Sequence, residues 1–136
     1  MHETEVERFV PATPPVLERA LTPERLVTFE GSFEVLDIED ADGVTLVTAG
    51  ARGLQLVLRF ERTEQGWTYE QEGRAGPFDE MWTQLTWKPE NEGARVTATS
   101  GVSLGLPLPA VSDRVAAWKR RGELERLLDG LAAEFD

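Results

Sequence analysis

Four carboxylates near the middle of the chain have the residue type and spacing best suited to acid–base chemistry. Glu70, Glu72, Asp79 and Glu80 flank a link at 73–77 that contains glycine and proline. Two carboxylates facing an apolar cavity can serve as general acid and general base. The same residues equally fit the solvated face of an acidic protein. The sequence therefore assigns no catalytic residue, and Glu72 is kept as a polar candidate for a cavity.

Other catalytic and metal-binding arrangements are excluded by the residue inventory. His2 is the single histidine, and the chain contains no cysteine. A histidine ligand cluster, a Ser-His-Asp arrangement, thiolate metal sites and disulfides are therefore ruled out. We predict no metal site and no cofactor.

Arg59 is the second polar candidate, and its role depends on which face of its strand points inward. Leu54, Leu56, Leu58 and Phe60 alternate with polar residues and Val57, which predicts a strand. If the leucines form the core, Arg59 lies on the solvated convex face. If they face a partner, Arg59 points into a cavity and binds a carboxylate or hydroxyl. Arg52 and Arg74 lie in links, where each can reach a cavity mouth.

Large side chains supply the candidate walls of an apolar pocket. Tyr69, Trp82 and Trp118 carry aromatic rings with one polar atom each, which suits a ligand site. Met81 and Trp82 are neighbours in a predicted strand, so only one of them can face inward. The sequence does not decide between them, and both remain candidates.

The element that must position these side chains is a long helix within 106–136. Pro107 and Pro109 precede it, Ser112 or Ala110 begins it, and Ser112 is the better N-cap of the two. One face carries Leu124, Leu127, Leu128, Leu131 and Phe135, and nearly the opposite face carries Val111, Val115 and Trp118.

The change of face occurs at Gly122, so either the helix bends or breaks there or its two halves bury different faces. We expect the leucine half to pack on a sheet. Val111, Val115 and Trp118 would then form the wall or gate of a pocket, although Val111 and Val115 could merely touch a loop. The apolar segment 101–109 before the helix fits either a mobile lid or a buried strand end.

Composition limits the class of protein. The chain has 136 residues, which fits a single domain at 1–136, and it has no run of about 20 apolar residues that would span a membrane. Acidic residues number 25 against 14 lysines and arginines, for a formal net charge of −11. Such a surface repels nucleic acid and anionic lipid. We expect a cytoplasmic protein, and we hypothesise a halophilic source because the acidic charge is spread along the whole chain.

The order of elements predicts an α+β fold. A first strand at 3–10 is followed by two short helices that begin at Thr13-Pro14 and Thr22-Pro23. Six further strands at hairpin spacing form a meander, and the long helix ends the chain. An antiparallel sheet with one apolar face must bury that face. We therefore predict a curved sheet of about seven strands wrapped around the C-terminal helix.

This order and several local patterns resemble the START-like superfamily, also called SRPBCC. The patterns are Ala12-Thr13-Pro14-Pro15-Val16-Leu17, Leu21-Thr22-Pro23-Glu24-Arg25-Leu26, Leu85-Thr86-Trp87-Lys88-Pro89, Gly93-Ala94-Arg95-Val96-Thr97 and the leucine-rich terminal helix. The similarity is greatest to the polyketide cyclase/dehydrase and coenzyme Q-binding-like branch. It implies the helix-grip fold and a hydrophobic cavity between sheet and helix. Its members bind lipids, sterols, quinones, hormones or polyketides, and some catalyse cyclisation or dehydration.

Three hypotheses follow for function. The first is non-catalytic binding of a small hydrophobic ligand such as a lipid, quinone or polyketide-like molecule. The second is an enzyme of the cyclase or dehydrase type that uses cavity carboxylates. The third is a chaperone-activator-like domain that presents an exposed apolar face to another protein. Nucleic-acid binding and stable membrane insertion are not expected, and the oligomeric state is left open.

Overall fold

The computed structural model describes residues 1–73 and 78–136 and contains one sheet and three helices in that part of the chain. The elements follow the predicted order. They are β1 (His2–Val10), α1 (Pro14–Ala20), α2 (Pro23–Glu30), β2 (Glu34–Ala41), β3 (Val44–Ala51), β4 (Leu54–Thr63), β5 (Gly66–Glu72), β6 (Glu80–Glu90), β7 (Gly93–Ser103) and α3 (Pro109–Glu134).

The seven strands form one curved antiparallel sheet in the spatial order β1-β7-β6-β5-β4-β3-β2. Strands β2 to β7 pair with their sequence neighbours as a meander. The first strand instead crosses to the far edge and pairs with the last, for example Val6 with Ala98. The α+β helix-grip architecture predicted from the sequence is confirmed.

Because successive side chains along a strand point to opposite faces, the apolar residues at every second position point to the concave face of the sheet. In β4, Leu56, Leu58 and Phe60 are buried, so Arg59 lies on the convex face. Helix α3 packs mainly on β1 and β7 and contacts α2. The predicted leucine face of α3 is buried as expected, with Phe135 only partly so.

Helix α3 begins earlier than predicted and does not break. Pro109 occupies its first turn and Leu108 is the N-cap, whereas the sequence pattern favoured Ser112. Proline fits this position because the first N–H groups of a helix have no internal partner. The helix continues through Gly122 to Glu134, so the alternative in which it breaks at Gly122 is wrong.

The short helix α2 matters because of where it ends. The Thr22 hydroxyl caps its start by accepting a hydrogen bond from the N–H of Arg25. Gly31 ends it in the left-handed conformation, with φ of 81°. Glu30 is therefore fixed at the C-terminal turn of α2, where its side chain is buried.

The other boundaries differ from the predictions by a few residues. Strand β6 continues through Pro89 to Glu90, and the turn to β7 is Asn91-Glu92. The segment 101–109 divides, because Gly101 to Ser103 belong to β7, 104–108 connect β7 to α3, and Pro109 begins α3. None of the described helices combines the length and hydropathy that crossing a membrane requires.

Candidate functional site

A groove lies between the N-terminal half of α3 and the open end of the sheet. Its volume is about 650 Å³, within the range of small-molecule sites. Its walls come from the residues just after α2, the β3–β4 hairpin, one side of α3, and two residues next to the ends of β6 and β7, Phe78 and Leu104. The lining residues are Gly31, Ser32, Phe33, Ala51, Arg52, Leu54, Phe78, Leu104, Val115, Ala116, Trp118, Lys119 and Glu123.

The rim of the groove exposes large apolar side chains. Trp118 is 77% exposed, Val115 59% and Leu54 50%. Exposed apolar side chains are common singly, but here they border one concave space, which marks a candidate binding surface. Arg52 and Lys119 add two positive charges to the lining, although the protein as a whole is strongly acidic.

Beneath the groove, a buried polar network occupies the space between α3 and the sheet. Arg120 is its centre and is 1% exposed. It forms a two-pronged ion pair with Glu30 and donates to Glu123 Oε1 at 3.0 Å. It also donates to the hydroxyls of Thr83 and Ser100, at 2.7 and 3.2 Å. A buried guanidinium needs such partners, since burying an unpaired charge is very costly.

Tyr69 completes the network from the sheet side. Its hydroxyl donates to Glu30 Oε2 and accepts from Arg120 Nη2 at 3.3 Å. Burial is the main cause that raises the pKa of Tyr69 well above 10, and the charge of Glu30 adds to it. Burial is the largest single influence on the pKa of Arg120 and acts to lower it, but electrostatic interactions with Glu30, Tyr69 and Glu123 together outweigh burial and hold the pKa above its ordinary value. The tyrosine is therefore neutral and the arginine charged at neutral pH.

Glu123 connects the network to the groove. It accepts the hydrogen bond from Arg120 and also lines the groove, although it is only 4% exposed. Its position on α3, three residues after Arg120, places both side chains on the inner side of the helix. It is the one carboxylate among the described lining residues.

The structure places the predicted pocket residues in three environments. Val115 and Trp118 line the groove, and Val111 is exposed one turn before Val115 without lining it. Met81 and Tyr69 are buried on the concave side of the sheet. Tyr69 belongs to the network rather than to the groove lining.

Trp82 and the two polar candidates lie on the convex face. Trp82 packs over Gly101 of the neighbouring strand, where an added Cβ would meet the indole at 2.3 Å. Arg59 forms an ion pair with Glu61, and Glu72 is exposed. Arg59 and Trp82 share a separate depression of about 380 Å³ on this face, on the side of the sheet away from α3.

The carboxylates considered for acid–base chemistry are not brought together in the groove. Glu70, Glu72 and Glu80 are exposed on the convex side of their strands. Asp79 precedes β6, and its N–H donates to the carbonyl of Ser103. Arg74 lies outside the described residues. Within 1–73 and 78–136, no cluster of three or more acidic or histidine side chains is arranged to hold a metal ion.

Sequence reasoning missed Arg120, Glu30 and Glu123. One signal for Arg120 was present, because continuing the stripe of Leu131, Leu127 and Leu124 backwards in steps of three or four leads to Arg120 and Ala117. The expectation that buried helix positions are apolar concealed this continuation. No comparable signal marks Glu30, which ends a two-turn helix.

Solved structures share this fold over nearly the whole chain. TTHA0849 from Thermus thermophilus is 25% identical with a TM-score of 0.75, covering 97% of this chain and 95% of its own. A START superfamily protein from Mycobacterium smegmatis is 12% identical with a TM-score of 0.69, over 100% of both chains. The di-domain ARO/CYC BexL from the BE-7585A biosynthetic pathway is 22% identical with a TM-score of 0.67, covering 93% of this chain and 45% of BexL.

These similarities confirm the predicted START-like, helix-grip fold. No protein-family model and no curated protein sequence matches the chain. The function must therefore be inferred from the groove and the network beneath it.

Proposed function

We propose that the protein binds a small hydrophobic ligand, of the lipid, quinone or polyketide-like kind, in the groove beside α3, without catalysing a reaction. The observation that carries the proposal is a concave space of about 650 Å³ bordered by exposed Trp118, Val115 and Leu54. A ligand that covers these side chains removes apolar surface from water, at about 25 cal/mol for each Å². The START superfamily neighbour and the ARO/CYC neighbour are consistent with this class of ligand.

The non-catalytic part of the proposal rests on the placement of the acidic groups. Glu70, Glu72 and Glu80 are on the other side of the sheet from the groove. Within the described lining only Glu123 is acidic, and it is paired with Arg120. A general acid and a general base both need to reach the substrate, and one carboxylate held by an arginine does not supply both.

Fluorescence of N-phenyl-1-naphthylamine, which increases in apolar surroundings, tests the proposal. Val115 and Val111 provide a matched pair, since both are exposed on α3 and only Val115 lines the groove. We expect Val115→Asn to weaken probe binding about fivefold, the loss of about 1 kcal/mol of apolar contact. Val111→Asn should leave the affinity unchanged. Absence of saturable binding, or equal effects of the two substitutions, would contradict the proposal.

A protein-interaction role is the second candidate. Leu106, Leu108 and Val111 extend the exposed apolar surface beyond the groove, with Leu108 76% exposed. Surfaces of this kind also mark protein contacts. Under this alternative, Val111→Asn rather than Val115→Asn would reduce self-association in analytical ultracentrifugation, and the naphthylamine probe would not bind.

A further inference from the structure

We propose that the ligand of the groove carries a hydroxyl group and that the carboxylate of Glu123 accepts its hydrogen bond. This inference rests on the proposed function and narrows the class of ligand to neutral apolar molecules with an alcohol or phenol. It is drawn from how the hydrogen bonds of the buried network are distributed.

Glu123 is buried but has unused accepting capacity. One oxygen, Oε1, accepts from Arg120 at 3.0 Å. Among the described residues no hydrogen bond is made to the other oxygen, Oε2. A carboxylate has about four lone-pair sites, and a buried carboxylate is stabilised by each donor it gains. The groove is the open side from which such a donor can approach, because Glu123 forms part of its lining.

Arg120, by contrast, has no donor to spare. Its Nε donates to Ser100, its Nη1 to Glu30 and Glu123, and its Nη2 to Glu30, Tyr69 and Thr83. A guanidinium has five N–H donors, and these contacts engage all three nitrogens. An anionic ligand group beside Oε2 would be repelled by the Glu123 carboxylate, and Arg120 has no donor left to offset that repulsion. The inner end of the groove therefore selects a donor and disfavours a carboxylate.

The charge of the donor follows from the other lining residues. Arg52 and Lys119 line the same groove, and neither forms an ion pair with a described residue. The two positive charges would repel an ammonium group that enters the groove. A neutral hydroxyl satisfies Glu123 without that repulsion.

Matched naphthalene derivatives test this directly by displacing N-phenyl-1-naphthylamine from the wild-type protein. 2-Naphthol has the donor, 2-methoxynaphthalene has the same oxygen without the donor, and 2-naphthoate replaces the hydroxyl with an anion. A hydrogen bond to a charged acceptor predicts that 2-naphthol binds about tenfold more tightly than 2-methoxynaphthalene. 2-Naphthoate should bind no better than 2-methoxynaphthalene. Equal binding of naphthol and its methyl ether, or tightest binding of the naphthoate, would overturn the inference.

Substitutions assign the effect to Glu123. Glu123→Gln should reduce the tenfold preference to about threefold or less, because a neutral amide is a weaker acceptor. Glu123→Leu should abolish it. Glu125→Gln, on the exposed side of the same helix, should retain the full preference. A preference that survives both Glu123 substitutions would refute the assignment.

The wild-type comparison decides the inference even if a Glu123 variant does not fold, which circular dichroism would show. If N-phenyl-1-naphthylamine itself does not bind, the proposed function fails and the hydroxyl preference fails with it. If the probe binds and is displaced equally by naphthol and its methyl ether, only the preference is wrong.

Discussion

Replacing Arg120 with methionine should be among the most damaging single changes in the described part of the chain. The substitution keeps a long apolar stem but removes the charge that compensates Glu30 and Glu123. These carboxylates are 8% and 4% exposed, so the water that can reach Glu123 from the groove replaces only part of the stabilisation that the guanidinium provides. Breaking a buried ion pair by removing one partner costs about 3–5 kcal/mol. The free energy of unfolding of a typical domain is about 5–15 kcal/mol, so this loss is a large share of it.

Equilibrium unfolding in urea, followed by tryptophan fluorescence and by circular dichroism, measures this loss as a lower midpoint. Arg114→Met is the matched control, since Arg114 lies on the same helix and is exposed. It should change the free energy of unfolding by no more than about 0.5 kcal/mol.

A triple variant distinguishes uncompensated charge from lost packing. Adding Glu30→Gln and Glu123→Gln to Arg120→Met removes both buried charges and keeps an acceptor for the Tyr69 hydroxyl. It should recover about 2 kcal/mol relative to the single variant, because the desolvated carboxylates are gone. If Arg120→Met costs less than about 1 kcal/mol, or if the triple variant is no more stable than the single one, the electrostatic reasoning is incorrect.

Three further predictions concern single residues. Tyr69 is the only tyrosine, so ultraviolet absorbance should show no tyrosinate near pH 10 in the folded protein. The free energy of unfolding should fall as the pH rises above about 10, because only the unfolded chain ionises its tyrosine readily there. Normal titration of the folded protein at pH 10 would contradict this. Gly130→Ala should destabilise the protein, because the added Cβ would meet Phe29 at 2.6 Å. Gly122→Ala meets nothing nearer than 3.8 Å, so in urea unfolding it should raise the free energy of unfolding by up to about 1 kcal/mol. Thr22→Ala should lower the free energy of unfolding by about 1 kcal/mol through loss of the α2 cap, and an unchanged urea midpoint would exclude that role.

The fold was largely predictable because its signals are local. Alternation from Leu54 to Phe60 indicates a strand with one buried face, and the Thr22-Pro23 pair indicates a helix start. Hairpin spacing then leaves few arrangements for an antiparallel meander. The leucine spacing from Leu124 to Leu131 identified the face of α3 that packs on the sheet.

The site was harder to predict because it depends on polar groups that are buried. Arg120 and Glu123 look like solvent-facing charges in a helix, and only the distant Glu30 and Tyr69 explain why they are inside. Val115 and Trp118 were identified as pocket residues from their position opposite the leucines, and the structure places both in the groove lining. For Met81 and Trp82 the sequence pattern was symmetric, and the choice of face required the register between β6 and β7.

The network around Arg120 also bears on the order of events in folding. Its partners at Glu30, Tyr69, Thr83 and Ser100 are 90, 51, 37 and 20 residues away in the chain. Contacts of such long range require the meander, α2 and α3 to be docked already, and closing long loops early is entropically unfavourable. The network should therefore form after the rate-limiting step, as interactions with φ-values near zero do. The network would then mainly lower the unfolding rate, which lengthens the lifetime of the native protein, and would have little effect on the folding rate.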